Sequence, residues 1–248
     1  MRRVTGAFAL ALALGLAAAG CDNGTPADKV TGFLDSAAEK RAAGQFDAAV
    51  IELKNALQRQ PENAEARRRL GEVYAVQRRW DSAAKEFRRA RQYGADTPPL
   101  RAALAEALVA SGNPGEVLEL IPAPRADADL NDPMTRRLQG LRARALLATG
   151  ERNEALALAE RVLAAGDGVP AQLVLAEAAA DEGAHARAVV AADRVLAQAP
   201  DNLDALLLKA ESLRATGQTR RALEIFQAAR KAPRRPLTVD LGLIQSAL

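Results

Sequence analysis

Over residues 64–97 the apolar positions fall in two runs with helical spacing. Leu70 and Tyr74, four residues apart, share one face of a first helix, and Ala83, Phe87 and Ala90 share one face of a second. The polar stretch 77–81 separates the runs, so the segment predicts an antiparallel helix pair with a tight connection. Gly71 and Ala83 are small and let the helices approach closely where they cross, and Trp80 is placed to fold back over the hairpin.

The pattern recurs along the chain with a period of about 34 residues. Setting Pro61 in register with Ala95 gives a first repeat with Gly44 at the turn and Ala49, Leu53 and Ala56 on the second helix. A third repeat has Leu104, Ala105, Leu108 and Gly112, then a short second helix over 114–121 that Pro122 and Pro124 end early. Residues 122–133 read as an irregular insertion, after which the pattern resumes displaced by about four residues. Repeat four carries Ala143, Leu146, Gly150, Ala155 and Val162, and repeat five Leu175, Ala176, Gly183, Ala188, Val195 and Pro200. Repeat six carries Ala210, Leu213, Gly217, Ala222, Phe226 and Ala229. The recurring turn glycine suits a left-handed backbone position after a first helix. Residues 237–248 begin another first helix, apolar on more than one side, with no second helix after it. A terminal repeat should show a polar outer face. This helix is therefore expected either to continue into a longer array or to pack on another molecule.

The order Leu70-Gly71-x-x-Tyr74 followed by Ala83-x-x-x-Phe87-x-x-Ala90 resembles the tetratricopeptide repeat, with Arg67 where that family favours Trp and Ala95 where it favours Pro. The resemblance implies an all-α solenoid, a right-handed superhelix of antiparallel helix pairs whose first helices line the concave side. Repeats one to three then occupy residues 30–121 and repeats four to six residues 134–236.

The first twenty residues read differently. Arg2 and Arg3, an apolar run over 7–19 and small residues before Cys21 have the three-part form of an export signal, too short to span a bilayer well. Ala18-Ala19-Gly20-Cys21 resembles a bacterial lipobox, with Ala18 where Leu is preferred, which implies a lipid on Cys21 and a polar tether over 21–29. As the single cysteine, Cys21 cannot form a disulfide within the chain. Asp22 matches an enterobacterial inner-membrane retention pattern, which leaves the choice of membrane open.

Composition and charge narrow the function. Aromatics make up 3% of the residues, which favours closely packed helices. The formal charge of +3 falls by two once Arg2 and Arg3 are removed, so no nucleic-acid partner is implied. His185 is the only histidine, which excludes a metal site of several histidines and an HExxH motif. It occupies the repeat position of Phe46 and Trp80, where a ring packs at the hairpin. Gly166-Asp167-Gly168 lacks a preceding strand and reads as a turn. No catalytic residue, cofactor or metal site is expected, and binding remains.

At the repeat position that faces the concave side stand Glu72, Glu106, Arg144, Glu177 and Glu211, a candidate partner-binding groove. Each can equally be a solvated or paired helix charge, as Arg68 with Glu72 one turn apart. Arg67, Arg68, Arg69, Arg78, Arg79, Arg88, Arg89 and Arg91 crowd repeat two and form a candidate basic patch for acidic polysaccharide or lipid headgroups, or a solvated face.

Residues 48–58, followed by 61–67 and Leu70-Gly71-Glu72, resemble the N-terminal repeats of the tetratricopeptide-repeat lipoproteins of the PEP-CTERM/exosortase system, as does the lipobox. That resemblance implies a long periplasmic scaffold associated with exopolysaccharide production and surface-protein sorting. Two other readings fit the same architecture. One is a lipoprotein assisting outer-membrane or secretin assembly, and the other is an acidic-glycan-binding module.

Overall fold

The computed structural model describes residues 26–125, 128–230 and 237–247, and among them all regular structure is α-helical. The export signal, Cys21 and the tether up to residue 25 lie outside the described residues. Helices α1 (Pro26–Ala42) and α2 (Phe46–Arg59) form the first pair, and α3 (Ala64–Val76) and α4 (Trp80–Gln92) the second. The third pair is α5 (Pro98–Ala110) with α6 (Pro114–Leu120), and the fourth α7 (Pro133–Thr149) with α8 (Arg152–Ala165). Then follow α9 (Val169–Asp181) with α10 (His185–Gln198), α11 (Leu203–Ala215) with α12 (Thr219–Ala229), and a final α13 (Leu237–Ala247). The tether reading needs one correction. Helix α1 starts at Pro26, four residues before Val30, because proline is tolerated in a first helical turn and Asp28 there complements the helix dipole.

Local sequence sets the helix ends. Helices α3, α7 and α11 start on side-chain caps: Asn63 Oδ1 accepts from Ala66 N at 2.8 Å, Asp132 Oδ2 from Thr135 N at 2.7 Å, and Asn202 Oδ1 from Ala205 N at 2.9 Å. Each such cap contributes about 1 kcal/mol. Gly44, Gly112, Gly150, Gly183 and Gly217 turn the chain at φ between +71° and +96°. Repeat two places Arg78 at that turn with φ +55°, a conformation that costs a side chain more than it costs glycine. Its guanidinium lies 5.3 Å from the Trp80 ring centroid and 3.6 Å from Asp204, contacts that offset the strain.

Each second helix packs on the first helix of its own pair and on that of the next, and α5, α7, α9 and α11 also pack side by side. Leu70, Gly71, Tyr74, Ala83, Phe87 and Ala90 are all buried. A Cβ added to Gly71 would lie 2.5 Å from Phe87 Cε1, so the absent side chain is what seats the ring. The same device recurs at α13, where a Cβ on Gly242 would lie 2.3 Å from Phe226 Cζ. Helix α13 thus covers the apolar end of repeat six through Gly242 and the buried Val239, while Leu241 and Ile244 remain exposed.

The short α6 ends without a partner helix turn, and α7 supplies what is missing. Arg142 Nη1 donates to Leu118 O at 3.0 Å and Ile121 O at 2.8 Å, satisfying carbonyls that a truncated helix leaves open. Arg136 Nη1 donates to Leu130 O and Asn131 O at the end of the insertion.

Candidate protein-binding groove

Helices α3, α5, α7, α9 and α11 carry the five groove positions at equivalent places, and the structure joins most of them to a neighbouring first helix. Arg41 of α1 donates to Glu72 at 2.8 Å, and Arg137 of α7 to Glu106 at 2.7 Å. Arg144 of α7 donates to Glu177 of α9 at 2.8 Å and to Asp204 of α11 at 3.3 Å. Glu211 makes no ion pair among the described residues and borders a small hollow with Arg214, Leu241 and Gln245. The groove face is therefore a ladder of alternating charge rather than a row of free carboxylates. Hollows of about 300 Å³ beside Arg41 and Glu72 and about 320 Å³ beside Glu106 and Arg137 lie along it.

The centre of this face is the least solvated. Arg144 is 15% exposed and its Nε is buried without a partner. Burial pushes the Glu177 carboxyl above the ordinary range even though Arg144 opposes the shift. Asp204 receives Arg144 from one side and Arg78 from the other, so repeats two, four, five and six meet at one carboxylate cluster.

The eight arginines of repeat two do not form one unpaired patch. Arg67 pairs with Glu86 at 2.6 Å, the two side chains 11% and 9% exposed, and its Nη2 donates to Pro61 O at 2.7 Å. An internal ion pair thus occupies the position the sequence pattern reserves for Trp. Arg68 pairs with Glu65 and Glu72, and Arg69 with Glu65. Arg88 binds Glu116 at 2.8 Å, Arg89 approaches Glu86 at 3.8 Å, and Arg91 lies 3.3 Å from Asp96. Arg78 meets Asp204 and Trp80, and Arg79 stacks 4.4 Å from the Tyr74 ring centroid. The charge run is dispersed because helical periodicity sends consecutive arginines to different faces.

Glu65 receives both Arg68 and Arg69, and the hydrogen bond from Arg68 above all pulls its pKa down from 4.5 to about 2. A folded-state value below the unfolded one adds stability that is present above pH 4.5 and lost as pH falls toward 2. The Glu65→Gln variant should therefore show a flatter loss of urea midpoint across that window than the parent. Parallel acid limbs would remove Glu65 from the account. The carboxylate is substantially exposed, so the effect is a minor part of the acid transition.

His185 opens α10 half-buried at the hairpin, its Nδ1 enclosed without a partner. Among the described residues no group of three His, Cys, Asp or Glu is placed to hold a metal ion, and no helix is long and apolar enough to cross a membrane. Two features escape sequence reading. Asp204 lies 126 positions from Arg78 and carries no periodic mark, and Arg137 stands off the groove register while answering Glu106. Comparison of the first helices for charges of opposite sign about 31 residues apart is the one signal that finds the second.

Stacked antiparallel helix pairs with ion-paired first helices define the class of helical-repeat scaffolds. A family model described as tetratricopeptide repeat matches residues 40–105 and 179–237, and a second model of the same description matches 141–202. The first covers half of the chain, and the chain belongs to the tetratricopeptide repeat family. No curated protein matches it in sequence. Among solved structures it is similar to PilW, described as a widely conserved type IV pilus biogenesis factor. That match has 21% identity, covers 86% of this chain and 98% of that one, and has a TM-score of 0.56. Similar in fold are TTC0263 of Thermus thermophilus (24% identity, 74% and 98% covered, TM-score 0.53) and pilF of Pseudomonas aeruginosa (16%, 90% and 99%, 0.51). At these identities the likeness shows the fold. Tetratricopeptide repeats are in general non-catalytic scaffolds for protein partners, and no catalytic family matches.

Proposed function

We propose that this protein is an exported, lipid-anchored scaffold that binds protein partners in exopolysaccharide production or surface-protein export, on the periplasmic side of a bacterial membrane. The observation that carries the binding part is the continuous first-helix face, where charges of both signs are held at the helix-repeat spacing by Arg41–Glu72, Arg137–Glu106 and Arg144–Glu177. A partner segment with its own alternating charges can exchange with the exposed Arg41–Glu72 and Arg137–Glu106 pairs at little net cost. The anchoring part rests on the signal and lipobox pattern ending at Cys21. Assistance to outer-membrane or pilus-type assembly is the second reading. It is favoured by the fold likeness to PilW, which is described as a pilus biogenesis factor. Acidic-glycan binding is disfavoured, since each of the eight arginines already has an acidic or aromatic neighbour.

The test combines anchor and groove. Cys21→Ala should move the protein from the membrane to the soluble fraction and abolish incorporation of labelled fatty acid. Pull-downs from membranes should recover polysaccharide or surface-protein export components with the parent and lose them with Glu72→Lys/Glu106→Lys, at unchanged circular dichroism. Recovery of outer-membrane assembly components instead would support the second reading. Partners that survive the groove variant would overturn the groove as the binding face.

A further inference from the structure

On the side of α9 away from Glu177, a hollow of about 590 Å³ runs between α8 and α10. Its floor is Leu175, Ala178 and Ala179, which at about 100° per residue lie on the face of α9 opposite Glu177. Leu156 and Glu160 of α8 form one wall, and Ala186, Val190 and Arg194 of α10 the other. Both walls pack on α9, so the floor is fixed by the fold.

Helix α10 differs from its counterparts here in the combination of two positions. Counted from the first residue of each second helix, the sixth position is charged in α4 (Lys85), α6 (Glu119) and α12 (Glu224) and apolar in α2 (Ile51), α8 (Ala157) and α10 (Val190), where Val190 is 55% exposed. The second position is Asp47 in α2, Asp81 in α4, Asn153 in α8 and Arg220 in α12, but Gly115 in α6 and Ala186 in α10. In repeat five, then, neither position carries a charge or an amide and both side chains are apolar, beside a preformed hollow. Solvent-exposed apolar side chains over an apolar floor gain free energy when covered.

The rim states what covers it. Glu160 and Arg194 are exposed on opposite walls, and neither makes an ion pair among the described residues. The Arg187–Glu182 pair at 2.8 Å marks one end. Ala178, Ala179, Ala186 and Ala191 are small enough to admit a helix backbone between two helices that already run in the same sense. We propose that this hollow docks a single amphipathic helix of a partner protein. The helix sets Leu- or Val-sized side chains at i and i+4 onto Leu175 and Val190, a basic flank toward Glu160 and an acidic flank toward Arg194. The site is separate from the first-helix groove, so a scaffold with both can hold two partners at once.

The probe is a synthetic labelled peptide of about 18 residues, roughly five helical turns, with leucines at i, i+3 and i+4, lysines on one flank and glutamates on the other. Fluorescence anisotropy with the full chain should show it binding at least about tenfold more tightly than a scrambled peptide of the same composition, the factor that burial of one aliphatic side chain supplies. Val190→Glu places at this position the residue type that α6 and α12 already carry, so the variant should fold with unchanged circular dichroism and melting temperature while losing that preference. Glu160→Lys combined with Arg194→Glu should transfer preference to a peptide with its flanks exchanged. Equal binding of the scrambled peptide, equal binding of a proline-interrupted extended peptide, or indifference to Val190→Glu would each overturn the proposal.

Discussion

Replacing Phe87 with alanine is expected to lower the unfolding free energy by about 3–5 kcal/mol, the usual cost of emptying a large aromatic site in a core. The ring is 1% exposed and seated on Gly71, while the other buried positions of α4 nearest it include Ala83, Ala84 and Ala90, too short to refill the space. Coupling between repeats passes only through neighbours, so the damage should be regional. Repeats one to three should melt at lower urea than repeats four to six, turning one transition into two. The partner substitution separates packing from propensity. Alanine in place of a mid-helix glycine ordinarily gains about 1 kcal/mol, yet the added Cβ at Gly71 meets the ring edge at 2.5 Å, and overpacking of this kind costs about 1–3 kcal/mol. Gly71→Ala should therefore destabilise, and Gly71→Ala/Phe87→Leu should be less harmful than the two single changes added together. A stabilised Gly71→Ala would show that the ring moves freely and that the close fit is unimportant.

Arg144→Met should be the next most damaging change, at about 2–3 kcal/mol near neutral pH. That is below the range for a fully enclosed pair because Asp204 is 40% exposed. It leaves Glu177 and Asp204 together without the cation between them. The loss should depend on pH in a stated direction. Burial holds the folded Glu177 carboxyl above its ordinary 4.5, so its contribution to stability is present below that value and declines as pH rises through the folded value. Removing Arg144 raises the folded value further and widens the interval. Urea midpoints of parent and variant should accordingly lie close together in acid and diverge toward neutral pH. A constant difference at all pH values would mean that Glu177 stays ionised and that the loss comes from Arg144 packing alone.

Much of the fold was legible because a few positions repeat for local reasons. Glycine at a left-handed turn and a small residue facing a large one recur at a fixed spacing, so Gly44, Gly112 and Gly183 mark helix ends without any tertiary knowledge. Repeat two showed its connection at 77–81 but not its conformation, since Arg78 takes the left-handed position with the help of Trp80 and Asp204, neither of which a local pattern reveals. Groove positions could be numbered from the register, but not their pairing. Whether Glu106 is free or held depends on Arg137, whose reach across an insertion of irregular length no period encodes. The arginine run was open to two readings, a basic patch or a solvated face. Spacing alone does not choose between them, because the pairing of these cations with Glu65, Glu86, Asp96 and Glu116 is set by helix geometry. The hollow beside Val190 was open to sequence reading by comparing the same place in successive second helices, a comparison that core patterns do not prompt.

A helical solenoid ordinarily behaves as a spring, each interface adding a small rotation when the whole is pulled or bent. The contact of Arg78 with Asp204 ties a chord between distant points of that spring. Stretching the array and widening its inner face then become one motion, resisted by a salt-sensitive strut. Force applied along the array would in this way be felt as a change in grip on whatever the scaffold holds.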